Sequence, residues 1–434
     1  MPGDLILIFA YHFPPENAIG AGRPYRFYKY LRRLGYRCHV ITAADVSSRA
    51  DLAAETVPDP FVTGPRHKMG WQVERAARKL LLPGVTGTQW AFHAYRAALR
   101  LIERQRSSHV TIFSTFPPLG THLAAYWLAR RTGLPWVADY RDPLADNPIY
   151  SEWNRFRSAL YSKVERVFVN AADVVIANTD TACAKLKADF PARANRIKLL
   201  WNGFDPEERL QARPAADAKN CLVSHVGELY GGRDISPILF SVRRLIDSGR
   251  LSLERVKVQL VGPMQDSSLP EPAFIRAAEQ EGWLRLMPNR LPQAEAQAIV
   301  GSSGGLLLIQ PQSILQVPGK LFEYLQIGCP ILAYVPLNSP VERILEKSGV
   351  AFECVHPGSE PGELDRRVER FFRLAGSYRV PSEWFEQEFS AENQVSRLSA
   401  WIQGVRKPAL QGTPERLWGQ PSMQETEATQ EIRR

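Results

Sequence analysis

The sequence predicts an α/β protein of two domains, each a doubly wound parallel sheet, facing one another across a cleft. Three observations predict it. At 434 residues the chain is long enough for more than one hydrophobic core. Apolar runs of strand length alternate with amphipathic helical stretches along almost all of it, the pattern of successive βα units. The alternation breaks once, in the Ala-, Glu- and Arg-rich stretch 206–220, and a new βα series opens at Cys221. The predicted domains are 1–205 and 206–383. A helix over 384–404 is expected to return to the first domain, and the polar, aperiodic tail 405–434 is expected to be disordered.

Each element has a local reason. LILIFA (5–10) is a buried strand by length and apolarity. The loop YHFPPENAIGAGRP follows, with Gly20 and Gly22 near its end. Pro24 stands just inside a helix whose stripe is Phe27, Tyr30, Leu31 and Leu34, and Gly35 ends it. RCHVIT (37–42) is the second strand, and 45–66 reads as an irregular excursion. Two basic amphipathic stretches come next. The face of 89–106, with Trp90, Ala94, Ala97 and Leu101, reads as packing on the sheet. For 70–82, where Trp71, Leu80 and Leu81 sit among Arg75, Arg78 and Lys79, packing and an anionic membrane surface remain equal alternatives. Strands are expected at 109–114, 136–139, 174–178 and 197–200 in the first half. In the second they are expected at 221–226, 256–261, 284–287, 305–309, 329–333 and near 351–354, with helices between.

Composition removes several function classes. No apolar run approaches the roughly 20 residues that span a bilayer. The start lacks a basic n-region and a cleavage site, so no signal peptide is read. Five scattered cysteines without a CxxC pair suit a reducing compartment, and the expected location is cytoplasmic. HExxH, GxxxxGK[ST], GxSxG and clustered His/Cys ligands are missing, which disfavours zinc, P-loop and α/β-hydrolase chemistry. No nucleic-acid module is visible. The net charge of +9 is uneven: 1–205 holds 28 Lys+Arg against 17 Asp+Glu, and the remainder holds 26 against 28. The basic first half suits an anionic partner, whether membrane surface, nucleic acid or phosphorylated substrate.

All the unusual loops follow strands, where parallel α/β sheets bind ligands. The first half offers His12, Gly20 and Gly22, and then DYRDP with Asp139, Arg141 and Asp142. That cluster reads either as ligand-binding or as an Arg–Asp pair fixing the loop. The second half offers Gly227 and Arg233 in GELYGGRD, Gln310 and Gln312 in QPQS, and VPGKLFEYLQIGCPILA (317–333). The last opens a helix at Pro318, Gly319 and Lys320, so free N–H groups and two cations, Arg233 and Lys320, can meet a diphosphate. Glu323, one turn further, is placed to accept from a ribose diol.

These stretches resemble the GT-B glycosyltransferases, and within them glycosyltransferase family 4. The marks are FPPENAIGAGRP, ADYRDP, ADVVIANT, WNGFD, HVGELYGGRD and VPGKLFEYLQIGCPILA, and the resemblance covers about residues 4–404. It implies two Rossmann-like domains, a nucleotide-sugar donor held by the second and an acceptor held by the first. It also implies retention of anomeric configuration with no metal or other cofactor. Arg233 then matches the basic residue on the donor diphosphate, Glu323 the ribose acid, and Gly20 and Gly22 the loop nearing the donor. Backbone around Asn289, Arg290 and Leu291 falls where the base is held. Two positions depart. The acid usual eight residues before the ribose acid is Leu315, and the Arg usual after Gly227 is Glu228. Gln310, Gln312 and Lys320 are the expected substitutes. Arg233 and Lys320 would stabilise the leaving diphosphate. Asp142 or Asp139 would orient the acceptor hydroxyl or serve as base, with His12 and Arg141 also on the acceptor side. The acceptor expected is a glycan or a polyprenyl-diphosphate-linked molecule, in surface polysaccharide or glycan synthesis. The rivals are a sugar-nucleotide epimerase on the same fold and a non-catalytic nucleotide-sugar-binding subunit.

Overall fold

The computed structural model describes residues 4–18, 20–63, 87–104, 109–145, 155–212 and 221–406. The first sheet contains β1 (Leu5–Phe9), β2 (Arg37–Thr42), β3 (Ala54–Thr56), β4 (Val110–Phe116), β5 (Trp136–Tyr140), β6 (Val174–Ala177) and β7 (Ile197–Leu199). Its helices are α1 (Gly22–Arg33), α2 (Pro60–Thr63), α3 (Thr88–Arg104), α4 (Leu119–Thr132), α5 (Arg155–Ala171) and α6 (Asp180–Asp189). The second sheet contains β8 (Cys221–Val226), β9 (Val256–Val261), β10 (Leu284–Met287), β11 (Gly305–Ile309), β12 (Ile331–Tyr334) and β13 (Phe352–Val355). With it run α7 (Ser236–Asp247), α8 (Pro272–Gln280), α9 (Gln293–Ser302), α10 (Lys320–Ile327), α11 (Pro340–Ser348) and α12 (Pro361–Leu374), and then α13 (Glu383–Phe389) and α14 (Ala391–Gly404).

Every pairing is parallel, in the orders β3-β2-β1-β4-β5-β6-β7 and β10-β9-β8-β11-β12-β13. This is the doubly wound arrangement expected from the alternation. A parallel sheet is covered on both faces, so its central strands read as near-continuous apolar runs rather than alternating. β1 shows it. Leu5, Leu7 and Phe9 face one core with Trp90, Leu128, Trp136 and Phe168. Ile6, Ile8 and Ala10 face the other with Phe27, Leu31, Val395, Leu398 and Ile402. α14, from the end of the described chain, thus covers the sheet that opens it. The second sheet divides likewise: Leu306, Leu308 and Ile331 point to α10 and α11, and Leu307, Ile309 and Leu332 to α7 and α12.

Strand order reverses between β1 and β4, and again between β8 and β11. Loops at such a reversal run away from each other and leave a crevice at the carboxyl ends of the strands. Those loops are 10–21 and 117–118 in the first sheet, and 227–235 and 310–319 in the second.

Three differences from the sequence expectation concern whole elements. The expected excursion at 45–66 contains the edge strand β3, which pairs with β2 from Val40↔Ala54 to Thr42↔Thr56. A three-residue strand is too short to show a periodicity. β4 continues to Phe116 and α4 opens at Leu119, leaving only two loop residues between them. The stretch 383–404 is two helices, because the Ser390 side chain accepts from the Asn393 N–H and caps the second. The basic stretch 70–82 and nearly all of the tail 405–434 lie outside the described residues.

Candidate active site

In the second domain the site begins where β8 ends. Gly227 has φ 134°, and a Cβ there would stand 2.4 Å from Lys320 Nζ. Glycine therefore does two things: it takes the left-handed turn and it lets the ammonium rest on bare backbone. Behind it, His225 is 1% exposed, with Nδ1 3.0 Å from the Leu307 carbonyl oxygen. A carbonyl only accepts, so Nδ1 carries the hydrogen, and the Nε2 lone pair faces Lys320 Nζ at 3.5 Å. Burial, then the Lys320 charge, hold His225 well below its ordinary range. Burial, then Arg233, pull Lys320 down to about 7, although its side chain keeps some contact with solvent. Arg233 lies over the Tyr230 ring at 4.5 Å and makes no ion pair among the described residues. Glu323 is half-buried and holds no hydrogen bond there either. Burial raises its pKa, while Lys320 and Arg26 lower it.

The other predicted donor-side residues surround this group. Gly319 caps α10, and a Cβ on it would come 3.4 Å from Asn202 Nδ2. The N–H groups of Leu321 and Phe322 turn back to the Pro318 and Gly319 carbonyls, which narrows the free donors of the helix start. Gln310 is 4% exposed and its Oε1 has no partner among the described residues. The Gln312 side chain covers Gly232. Asn289 and Arg290 are exposed beyond β10, and Arg290 pairs with Glu228 at 2.5 Å.

In the first domain the DYRDP loop divides. Asp139 is 0% exposed. It takes the Arg23 guanidinium at 2.7 and 3.0 Å and the Thr115 hydroxyl at 2.8 Å. Arg23 also donates to the Leu200 and Trp201 carbonyls at 2.9 and 2.5 Å. Asp139 is thus an anchor, and its place as a catalytic candidate is corrected: no oxygen reaches the cleft. The buried pair that fixes this loop uses Arg23 rather than Arg141. Arg141 instead brackets two loops, donating to the Gly20 carbonyl at 2.7 Å, the Phe116 carbonyl at 3.2 Å and the Pro117 carbonyl. A Cβ at Gly20 would meet Arg141 Nη1 at 2.9 Å, so this glycine permits the bracket. Gly22 opens α1 beside Arg26. His12 pairs with Glu16 at 3.0 Å at the mouth of the loop. Asp142 turns toward the second domain and accepts from Gln316 Nε2 at 2.7 Å.

Sequence reasoning passed over Arg23, Arg26, Asn202, His225 and Gln316. Arg26 donates to Asn202 Oδ1 at 2.8 Å and leaves its buried Nε without a partner. Burial, then Arg23, lower its pKa to about 10, and Glu323 is near enough to raise it. The available signal was two arginines three apart at the start of a helix that follows a glycine loop, a spacing that puts both on one helix face. Among the described residues, no group of three or more His, Cys, Asp or Glu is arranged to hold a metal ion.

Residues 24–208 match the model of Glycosyltransferase Family 4. D-inositol 3-phosphate glycosyltransferase of Gordonia bronchialis is 24% identical over 290 residues, 64% of this chain and 63% of that protein. The chain therefore spans less than two thirds of that relative. A probable glycosyltransferase of Pseudomonas aeruginosa, WbjE, is 23% identical over 338 residues, 73% of this chain and 80% of that one. The crystal structure of Anabaena HepE in complex with UDP and glucose superposes with a TM-score of 0.54 at 15% identity, covering 92% of this chain and all of that one. Over residues 24–208 the chain is similar to glycosyltransferase family 4, and its fold is the GT-B architecture.

The two departures from the family pattern have structural accounts. Glu228 is paired with Arg290, and its charge still reaches Lys320. Leu315 leans on the first domain. Its carbonyl accepts from Thr179 Oγ1 at 2.9 Å, and its side chain lines a recess with Tyr140, Pro143, Ala177 and Leu186.

Proposed function

We propose that this chain transfers a glycosyl group from a nucleotide-sugar donor to a glycan or lipid-linked acceptor, with retention of configuration and without a metal ion. The observation that carries the reading is the group at the second reversal of strand order. Lys320 and Arg233 stand there as two cations with no carboxylate spent on them, and Glu323 sits one helical turn beyond. Two such cations suit a diphosphate, and the acid suits a ribose diol. Asn289 and Arg290 stand beyond the end of β10, two strands from β8 in the sheet, on the side where the base would extend. In a front-face transfer the departing diphosphate takes the acceptor proton while the bond to the sugar breaks. The protein then needs mainly to stabilise the departing charge, which Lys320, Arg233 and the start of α10 are suited to do. This removes the need for Asp139 as a base. His12, with Gly20 and the Arg141 bracket, would line the acceptor side.

The relatives act in glycosyl transfer by name, and this supports a role in surface polysaccharide or glycan synthesis, at the cytoplasmic side. Among the described residues, no helix is long and apolar enough to cross a membrane.

The test is a thermal-shift screen with UDP, GDP, ADP and dTDP in the presence of EDTA. A ligand at 100 times its Kd stabilises by about 2.7 kcal/mol, so one nucleotide raises the melting temperature and Glu323→Ala loses most of the rise. No rise with any of the four would overturn the reading. Incubating the wild type with UDP-N-acetylglucosamine and no acceptor separates the epimerase reading, since epimerised sugar would favour it. The subunit reading is favoured by Glu228, which is spent on Arg290, and by Leu315, which leans on the first domain. It predicts binding without transfer or hydrolysis of any donor.

A further inference from the structure

The position where an acid would grip the donor sugar is Leu315, which lines a recess among first-domain residues and accepts from Thr179 through its carbonyl. The cleft still needs an acceptor for sugar hydroxyls. The carboxylates near it are mostly committed. Glu228 is paired with Arg290. Asp234 accepts from the Ser236 N–H at the start of α7. Asp139 is enclosed by Arg23 and Thr115. Glu323 stands at the ribose end. Asp142 differs from all of these. It belongs to the first domain, yet its Oδ1 is held at 2.7 Å by Gln316, the residue next to Leu315, while Oδ2 makes no hydrogen bond among the described residues. Its charge is felt by Arg233, the proposed diphosphate cation, so it lies toward the reacting end of the donor.

We propose that Asp142 supplies across the cleft the sugar-binding carboxylate that the second domain lacks, with Gln316 as the residue that positions it. This rests on the glycosyl-transfer reading and deepens it. The ligand class is the hexose hydroxyls of a nucleotide sugar. A carboxylate with one oxygen fixed and one free accepts from a hydroxyl, and an amide that holds it from the opposite domain forms only when the cleft is closed. The site is thus completed by closure, and the chain tolerates Leu315 for that reason. Burial raises the Asp142 pKa, while Arg141, the Gln316 hydrogen bond and Arg233 lower it. Removing the amide therefore moves the titration of Asp142 to higher pH.

The experiment compares the full chain with Gln316→Leu, Asp142→Asn and, as a control, Arg343→Gln. The control breaks a different cross-cleft contact, the Arg343 pair with Asp180 at 2.7 Å. Calorimetry measures the Kd of UDP, GDP, ADP and dTDP and of their glucose, galactose and mannose conjugates between pH 5 and pH 8. The expected result is an unchanged Kd for the best nucleoside diphosphate in every variant. The affinity of the best sugar conjugate falls about tenfold in Gln316→Leu and Asp142→Asn, the order expected for one charge-assisted hydrogen bond. The acid limb of conjugate binding moves to higher pH in Gln316→Leu, disappears in Asp142→Asn and stays in Arg343→Gln. Equal losses for the diphosphate and its conjugate, equal losses in Arg343→Gln, or no change in any variant would each overturn the proposal. If the wild type binds none of the diphosphates, the glycosyl-transfer reading itself has failed, and this assignment falls with it.

Discussion

Lys320 carries the most consequence per atom in this molecule. Its ammonium sits on the Gly227 backbone, beside the His225 lone pair and under the charge of Arg233, with Glu323 and Glu228 as the nearest acids. Its pKa of about 7 in the free protein makes it part neutral at physiological pH. A bound diphosphate raises that value, because the anion favours the charged form. Below pH 7 both free and bound forms are protonated, and affinity does not depend on this group. Above pH 7 binding must take up a proton, and affinity falls by up to about tenfold per pH unit until the bound-state value is reached. Lys320→Arg keeps its charge throughout and should lose this decline. The ligand's own titration cancels when wild type and Lys320→Arg are titrated with the same nucleotide at pH 6 to 9. Parallel curves for the two proteins would contradict the assignment.

At the scale of the element, the unit α10–β12 joins the site to the core. Leu321, Phe322, Tyr324 and Leu325 are fully buried, so the short helix is held by packing rather than by its own propensity. It stops at Gly328, whose φ of 73° is left-handed, and a Cβ there would stand 2.1 Å from the Arg379 carbonyl oxygen. Gly328→Ala must therefore accept both backbone strain of about 1–2 kcal/mol and a displaced segment at 379. It is expected to lower the denaturation midpoint markedly, and to weaken nucleotide binding only in proportion to the unfolded fraction. A variant of wild-type stability would show that the turn is less constrained than its geometry implies. The helix ends illustrate how legible such an element is. Pro318, Gly319 and Gly328 bracket it in the sequence, and the observed helix begins at Lys320, two residues later than the Pro-first expectation.

The whole molecule is tied together by segments that cross between the domains. α14 packs Val395, Leu398 and Ile402 on the first sheet, and Gln394 donates to the Trp201 carbonyl at 3.0 Å. Phe204 stacks on Phe385 at 5.0 Å. The residues 200–205 that join the sheets are therefore held by the end of the described chain and by Arg23, Lys29 and Tyr30 of α1. Charge is unequal over the same molecule, with the excess of Lys and Arg in the first half of the sequence. If that excess serves an anionic membrane surface, the protein pellets with vesicles of anionic lipid at low salt. Pelleting is lost as the Debye length shrinks from about 30 Å at 0.01 M toward about 8 Å at 0.15 M. Binding that ignores salt, or no binding at any salt, would dismiss the surface role.

Local pattern was enough to read the two-sheet α/β architecture, most strands, and the loops that gather at the strand ends. Burial on both faces writes unbroken apolar runs into β1, β11 and β12, and glycines and prolines mark the turns between them. Gly227, Arg233, Gly319, Lys320 and Glu323 were legible for the same reason: a glycine turn and a helix start are features of a few consecutive residues. The tertiary structure alone decided which charges are free. Asp139, Arg141 and Asp142 look equivalent as letters in one loop. Asp139 is enclosed by Arg23 from 116 positions away, Arg141 clasps Gly20, and Asp142 meets Gln316 from 174 positions away. His225, Arg26 and Asn202 owe their place in the cleft to the same kind of distant partner. A carboxylate's role depends on what neutralises or solvates it, and those neighbours are set by the packing of two sheets. The proposed nucleotide cradle is therefore largely a property of local sequence, and the proposed sugar-facing wall a property of how the two domains meet.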